Sequence, residues 1–178
     1  MANFRKLPDP HPPQVGQESV WDYPRPPALD KSHLRVEVSL QGVLIARTNS
    51  ALRVLETSHP PTFYIPPSDT DTQFLSQTGA TSFCEWKGVA SYWDVTTAGT
   101  TVKGGSWTYL KPTAPFDNLR GYFSFYPSSF ECSVDGSVVE PQPGAFYGGW
   151  VTKHVVGHFK GCLLYTSDAA DEEDSVDL

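Results

Sequence analysis

Residues 34–46 read LRVEVSLQGVLIA, and this stretch decides the fold class. Apolar residues occupy every second position from Leu34 to Leu40, with polar residues between them. This period-two alternation is typical of a β-strand with one buried face. Gln41-Gly42 then supplies the residues of a tight turn before the apolar run Val43–Ala46. The stretch therefore predicts a β-hairpin.

The same signals recur along the chain. Glu131–Val134 and Val138–Val139 flank Asp135-Gly136, a pair that favours the positive φ values of a type I′ turn, so we predict a second hairpin there. Further short strands are predicted at 62–65, 81–87, 90–95, 106–110 and 121–126. Thr96–Gly105 has the composition of a turn cluster, and Ser68–Phe74 that of a polar loop. Short strands, turn signals and little helical periodicity predict an all-β fold.

Composition limits the class of protein. The chain has 178 residues, enough for one domain with a core, and its 16 prolines and 14 glycines predict many turns. No apolar run approaches the roughly 18 residues of a membrane helix, and the first residues have no apolar segment typical of a signal peptide. Three cysteines with no close pair favour a reducing, cytoplasmic setting.

The two ends of the chain differ from its middle. Residues 1–30 hold seven prolines, which predicts an extended arm, and we expect its aromatic residues Trp21 and Tyr23 to dock on the domain. Residues 31–161 form the predicted all-β domain. The segment 162–178 is acidic and out of character with the rest, and we expect it to add nothing to the fold, so that truncation after Gly161 leaves the melting temperature unchanged.

The charge balance excludes a nucleic-acid partner. The formal net charge is −7, but residues 162–178 carry six acidic residues and no lysine or arginine, which leaves −1 for the rest of the chain. A nearly neutral domain lacks the basic face that binds a phosphate backbone. We therefore predict no nucleic acid and no membrane as partners, and the sequence carries no signal for an oligomeric state.

Four stretches carry a family resemblance. They are LRVLETSHPPTFYIPPS (52–68), CEWKGVASYWDV (84–95), FDNLRGYFSFYP (116–127) and VDGSVVEPQPGAFYGGW (134–150). Together, over about Val20 to Gly161, they resemble the domain-of-unknown-function family 427. The resemblance implies one domain of strongly curved antiparallel sheets, akin to the β-tent fold of small zinc-binding domains and B-type methionine-sulfoxide reductases. The tail from Cys162 onward is similar to sequencing-adapter read-through, whereas family members continue into a Gly/Pro/Trp-rich ending.

The family is sometimes labelled nucleotidyltransferase-like, but the residues here do not support that chemistry. Such a site needs a Gly-Ser phosphate-holding turn followed by paired carboxylates for Mg²⁺. Asp69-Thr70-Asp71 has paired carboxylates, yet both Gly-Ser pairs, Gly105-Ser106 and Gly136-Ser137, come after it. We therefore expect Asp69 and Asp71 to be turn formers.

The chain shows no metal or cofactor signature. There is no C-x-x-C pair, and His154 and His158 have Gly157 between them in a strand or loop context, so we predict no metal site and no cofactor. Cys84 and Cys132 are predicted to be buried, inert cysteines. A Cys–His dyad with His59 remains an open alternative, and no G-x-S-x-G nucleophile motif is present.

Charged residues set among aromatic residues supply the candidate site. The predicted ligand-binding residues are Arg53, Glu56, His59, Tyr64, Lys87, Tyr92, Trp107 and Trp150. Glu56 and Lys87 are the catalytic candidates, with Glu56 as base or acceptor and Lys87 with Arg53 as anion-holding cations. Two structural alternatives stand beside this hypothesis: a local Arg53–Glu56 ion pair, and a Lys87 side chain that lies along apolar surface with its charge in water.

Two functions follow from this set. The first is a cytoplasmic domain that binds a small molecule in an aromatic pocket, with Glu56 and Lys87 facing one cavity together with Tyr64, Tyr92 and Trp150. Whether such a pocket catalyses a reaction stays open at this point. The second is a non-enzymatic interaction module in which the same aromatic residues form the core and the Pro-rich arm engages a partner.

Overall fold

The computed structural model describes residues 12–144 and 147–161. The first eleven residues of the arm and the predicted tail at 162–178 lie outside the described residues. In chain order the strands are β1 (Glu18–Ser19), β2 (Ala28–Lys31), β3 (Val36–Leu40), β4 (Val43–Thr48), β5 (Leu52–Leu55), β6 (Thr62–Tyr64), β7 (Leu75–Cys84), β8 (Gly88–Thr97), β9 (Thr100–Thr108), β10 (Phe123–Phe125), β11 (Glu131–Val134), β12 (Ser137–Val138), β13 (Glu140–Pro141), β14 (Trp150–Val151) and β15 (Val155–Val156).

Short 3₁₀ turns are the helical structure of the described residues. They span Val20–Asp22, Pro67–Asp69, Thr72–Phe74 and Ala114–Leu119. The all-β prediction is therefore confirmed. Within the described ranges no helix has the length and apolar character to cross a membrane.

Three antiparallel sheets build the domain. Their strand orders are β10-β9-β8-β7, β12-β11-β3-β4 and β2-β5-β6. Two-stranded pairings add β13 with β14, which is antiparallel, and β1 with β15, which is parallel. The short strand β6 lies at an edge of its sheet, as the proline pairs around it require, because proline cannot donate to a neighbouring strand.

Both hairpins predicted from turn residues are present. Gln41 and Gly42 have φ of 49° and 76° between β3 and β4, and Asp135 and Gly136 have φ of 47° and 73° between β11 and β12. The prediction of a turn cluster at Thr96–Gly105 is wrong. A two-residue turn at Ala98-Gly99 suffices there, and β9 begins at Thr100, because its threonines pair with β8.

The main core lies between the sheets. Its fully buried members include Val36 and Val38 of β3, Ile65 after β6, and Phe125 of β10. A second cluster of buried residues packs beside it, around Leu52, Tyr64, Trp107 and Leu119. This second cluster forms the floor of the cavity described below.

The described part of the arm packs on the domain. Tyr23 is 8% exposed and donates a 2.6 Å hydrogen bond from its hydroxyl to Glu18, while Trp21 is partly buried. Val20, Tyr23 and Val155 form a third apolar cluster. Our boundary at residue 30 falls inside β2, whose backbone pairs with β5, so these arm residues are part of the sheet system.

Candidate functional site

An open cavity of about 640 Å³ lies over the second apolar cluster. We call it the aromatic cavity; its aromatic lining includes Tyr64, Tyr92, Trp107, Tyr109 and Tyr126. Trp107 and Tyr126 have ring centroids 4.4 Å apart, and the ring of Tyr64 stands edge-on to Trp107 at 6.3 Å. The Trp107 indole N–H donates a 3.3 Å hydrogen bond to the Tyr64 hydroxyl.

Strand alternation explains why these rings share one face. Side chains at i and i+2 point to the same side of a sheet, which places Trp107 with Tyr109 in the β9 region. Tyr92 of β8 lies directly opposite Trp107 in the antiparallel register. Tyr64 of β6 lies opposite Leu52 of β5, another member of the same buried cluster.

Lys87 enters the cavity from the tip of the β7–β8 hairpin. Gly88 has φ of +97°, a conformation that glycine adopts without strain, and it turns the chain directly after Lys87. Thr113 holds the tip, because its backbone N–H donates to the Lys87 carbonyl at 3.1 Å and its hydroxyl donates to the Trp86 carbonyl. The Lys87 ammonium nitrogen then lies 5.7 Å from the centroid of the Tyr109 ring.

The Lys87 ammonium is a stable cation in this setting. Burial alone would lower its pKa, but the Tyr64 phenol, the Cys84 thiol and the charge of Glu56 outweigh that effect and hold the pKa above its ordinary value. Burial raises the pKa of the Tyr64 and Tyr109 hydroxyls, so both phenols stay protonated at neutral pH. The cavity therefore presents a cation and neutral hydroxyl groups.

The turn at Glu56–His59 forms another wall. The His59 backbone N–H donates to the Glu56 carbonyl at 3.0 Å, and Ser58 takes a φ of 67° to close the turn. The arm supports this turn, because the Ser58 N–H donates to the Val20 carbonyl at 3.1 Å. Glu56 and His59 both line the cavity.

His59 is a neutral imidazole. Burial lowers its pKa; the carboxylate of Glu56 opposes this, and the ammonium groups of Lys160 and Lys87 lower the pKa further. The Gln142 amide nitrogen lies 3.1 Å from His59 Nδ1 and 2.9 Å from the carbonyl oxygen of Lys160. An amide N–H is a donor, so Nδ1 accepts and the ring proton sits on Nε2.

The structure brings together six of the eight predicted ligand-binding residues. Those that line the cavity are Glu56, His59, Tyr64, Lys87, Tyr92 and Trp107. This is the juxtaposition of Glu56 with Lys87 that the sequence led us to expect, although no carboxylate oxygen of the described residues lies within 4 Å of the Lys87 ammonium nitrogen. Lys87 is half-buried and lines this open cavity, with its ammonium nitrogen beside the Tyr109 ring.

Arg53 does not belong to this cavity. Within β5, Leu52 and Val54 are buried toward the second cluster, so Arg53 between them points to the other face. There it makes a bidentate pair with Glu18, at 2.9 Å for both nitrogens, and donates to Asp30 at 2.7 Å. The alternative of a local Arg53–Glu56 ion pair is wrong, because the partners of Arg53 come from the arm.

Trp150 also lies elsewhere. Its side chain is 0% exposed within the main core, where its ring packs 5.3 Å from Phe63. Its indole N–H donates to the Phe125 carbonyl at 3.1 Å. The preceding residue, Gly149, lines the cavity instead, because successive residues of an extended strand face opposite sides.

Sequence reasoning missed several cavity residues. Cys84, Gln142 and Lys160 line the cavity without having been predicted as site residues. The ring of Tyr147, from the aromatic stretch 134–150, has its centroid 5.2 Å from that of His59. Cys84 faces Gly88 across the hairpin, so its position three residues before Lys87 was the available signal. Gln142 and Lys160 follow from tertiary contacts over long sequence separations, for which the sequence holds no local signal.

The two described cysteines differ in their surroundings. Cys132 is 5% exposed on β11, and burial raises the pKa of its thiol to about 12, which fits the predicted inert cysteine. Cys84 is only partly buried and lies at the cavity, so the prediction of a buried residue is wrong for it.

The acidic residues of the 67–74 segment are turn formers. Asp69 accepts a 2.6 Å hydrogen bond from the Thr48 hydroxyl, and Asp71 caps the 3₁₀ turn at Thr72–Phe74 by accepting from the Gln73 N–H. Across 12–144 and 147–161, no group of three or more His, Cys, Asp or Glu side chains is arranged to hold a metal ion.

A comparison with known families identifies the family of this chain. Residues 28–140 match the model of a family described as Domain of unknown function (DUF427), which is more than half of the chain. The chain belongs to this family. No curated protein matches the chain. Most of the aromatic cavity falls in the matched part, whereas Gln142, Tyr147 and Lys160 follow it and complete one wall.

Proposed function

We propose that this DUF427 domain binds a small organic molecule in the aromatic cavity. The observation that carries the proposal is the convergence of eight aromatic side chains with those of Glu56, His59 and Lys87 on one open cavity of about 640 Å³. Concave, largely apolar surfaces with a few converging polar groups are the usual form of small-molecule sites.

The structural supports around the cavity favour a preformed site. The hairpin tip is held by Thr113, and the 56–59 turn is held by the arm. A site whose walls are fixed before binding loses little conformational entropy when it takes up a ligand. The charged and polar groups in it offer a cation, a neutral imidazole and a carboxylate, which can orient a ligand or transfer a proton.

A thermal-shift screen with aromatic small molecules tests the proposal. A compound that binds the native state stabilises it by RT ln(1 + L/Kd), where L is the ligand concentration, so the melting temperature rises with the logarithm of L once L exceeds Kd. Tyr126→Ala removes a ring of the cavity, and Tyr122→Ala removes an equally half-buried ring that packs on the same cluster without lining the cavity. We expect hits on the wild type that Tyr126→Ala weakens and Tyr122→Ala retains.

Two results contradict the proposal. One is the absence of any stabilising compound in a screen of aromatic molecules. The other is a set of hits whose stabilisation survives Tyr126→Ala as fully as it survives Tyr122→Ala, because such ligands bind outside the cavity.

A further inference from the structure

We propose that the ligand of the aromatic cavity is a planar organic anion, such as an aromatic carboxylate, whose anionic group contacts Lys87. This inference rests on the proposed function, because it names the chemical class of the molecule that the same cavity takes. It adds a charge, a shape and an orientation to that ligand.

Lys87 brings a half-buried ammonium group to the cavity. An ammonium group that is partly removed from water loses hydration energy unless an anion compensates it. The immediate neighbours of Lys87 are the neutral Tyr64 phenol, the Tyr109 ring and the Cys84 side chain, with which Lys87 shares a hydrogen bond. Glu56 influences Lys87 through its charge, but within the described part of the chain no ion pair within 4 Å joins them. A bound anion would add a direct ion-pair partner to these interactions.

The lysines of the cavity disfavour a cationic ligand. Clusters of aromatic rings bind ammonium groups through their electron-rich faces. Here the chain already provides that cation, because Lys87 lies over the Tyr109 ring and Lys160 lies over the Tyr147 ring, each 5.7 Å from the ring centroid. A second ammonium in the cavity would meet the charge of Lys87 in a partly desolvated space.

The charges of the cavity lining also favour an anionic ligand. The cationic side chains at the cavity are Arg25, Lys87 and Lys160, and the acidic ones are Glu56 and Glu85. His59 adds no charge in its neutral form but offers an N–H donor. Protonated phenols add further donors, and hydrogen-bond donors converging with an ammonium suit an oxyanion.

The aromatic floor sets the shape of the ligand. The Trp107 and Tyr126 rings meet at 4.4 Å with their planes 44° apart, while Tyr64 stands at 89° to Trp107. Offset and edge-to-face arrangements are the favourable geometries of aromatic contacts, and they leave flat faces and edges for another ring. A flat, conjugated ligand body therefore fits this floor beside Lys87.

Isothermal titration calorimetry with three matched probes tests the inference on the full chain. The probes are a naphthoate, the corresponding neutral naphthyl alcohol and naphthylmethylammonium, which share one ring system and differ in charge. We expect the naphthoate to bind roughly tenfold tighter than the alcohol, and the ammonium probe to bind most weakly. The wild-type series decides the question without any variant.

Substitutions of Lys87 then test whether this residue causes the preference for the naphthoate over the alcohol. Lys87→Met should remove the preference for the naphthoate over the alcohol, while Lys87→Arg should keep much of it. Lys103→Met is the matched control, since Lys103 is a lysine of β9 whose side chain is 86% exposed and does not line the cavity. It should leave all three affinities unchanged.

The outcomes separate the two proposals. Equal binding of all three probes, or tightest binding of the ammonium probe, overturns the anion inference and leaves the aromatic cavity as a ligand site. A naphthoate preference that survives Lys87→Met also overturns it, because another cation then carries the charge recognition. Absence of binding by all three probes counts against the proposed function itself.

Discussion

The side-chain amide of Gln142 lies 3.1 Å from Nδ1 of His59 and links the segment after the matched family region to the Glu56–His59 turn. The same amide donates to the Lys160 carbonyl, so one side chain ties two walls of the aromatic cavity together. Because an amide N–H can only donate, this link exists with a neutral imidazole. Protonation of His59 would set two donors against each other.

The pH dependence of stability follows from this link. Burial, opposed by Glu56 and reinforced by Lys160, lowers the pKa of His59 below 6.5 in the folded protein. Between the folded and unfolded pKa values the unfolded chain binds the proton, so the free energy of unfolding falls as pH decreases below about 6.5. We expect His59→Asn to lose this component, measured as the difference between wild type and variant in urea unfolding from pH 7.5 to 5.5. A difference that stays constant over that range contradicts the neutral-imidazole assignment.

The close approach of Gly148 to Trp107 sets the width of the cavity. A Cβ at position 148 would lie 2.5 Å from the Trp107 ring, whereas a Cβ at Gly79 on β7 meets nothing within 4 Å. We expect Gly148→Ala to lower the free energy of unfolding by about 1–3 kcal/mol, because the Trp107 indole must move. The substitution should also weaken the binding of any ligand in the cavity. Gly79→Ala should change stability by less than about 1 kcal/mol. Equal effects of the two substitutions on chemical denaturation would show that the wall yields freely.

Local turn chemistry made much of the fold predictable. Asp135-Gly136 and Gln41-Gly42 have positive φ values. Their residue types alone predict that conformation, without information from the rest of the chain. The Thr96–Gly105 stretch misled the prediction because threonine and glycine are common in turns. In the structure the threonines use their β-branched side chains in β9, which a neighbouring strand stabilises.

The site was predictable to the extent that it rests on alternation and on local motifs. Tyr64, Lys87 and Trp107 were placed correctly at one cavity from motif stretches rich in aromatic residues. Arg53 was misplaced because its partner Glu18 is 35 positions away, and no local pattern reports which face of β5 meets the arm. Trp150 was misplaced because a two-residue strand gives too short a pattern to show alternation.

The Arg53 network should stabilise the docking of the arm. The Arg53 side chain is 17% exposed, while Glu18 and Asp30 keep more than 40% of their side-chain surface in water. We expect Arg53→Met to lower the free energy of unfolding by about 1–2 kcal/mol, because the ion pairs are lost. The loss is limited, since the freed carboxylates regain part of their hydration. Arg35→Met, which breaks a pair with Glu37 from a side chain 54% exposed, should cost less than about 1 kcal/mol.

The stability gained from Arg53 should vanish in acid. Burial raises the pKa of Glu18, but the hydrogen bonds from Arg53 and Tyr23 outweigh burial and hold the pKa below 4.5. This contribution is complete above the unfolded pKa and is lost as pH falls through the folded value. Urea unfolding of wild type and Arg53→Met should therefore converge progressively as the pH falls from about 4.5 through the lowered pKa of Glu18. A gap that persists in strong acid shows that Arg53 stabilises through packing of its aliphatic stem.

The last prediction concerns the two thiols. In a Cys162→Ser background, iodoacetamide should alkylate Cys84 and spare Cys132. Cys84 is partly buried and lines the open cavity, so the reagent can reach its thiol. Cys132 is 5% exposed with a pKa raised to about 12, so its thiolate is scarce at pH 8. Mass spectrometry should show Cys84 modified more than about a hundredfold faster. A naphthoate bound in the cavity should shield Cys84 and leave the rate of Cys132 unchanged. Comparable rates for the two thiols in the folded protein would mean that the hairpin tip closes the cavity over Cys84, which would also deny a ligand its access to Lys87.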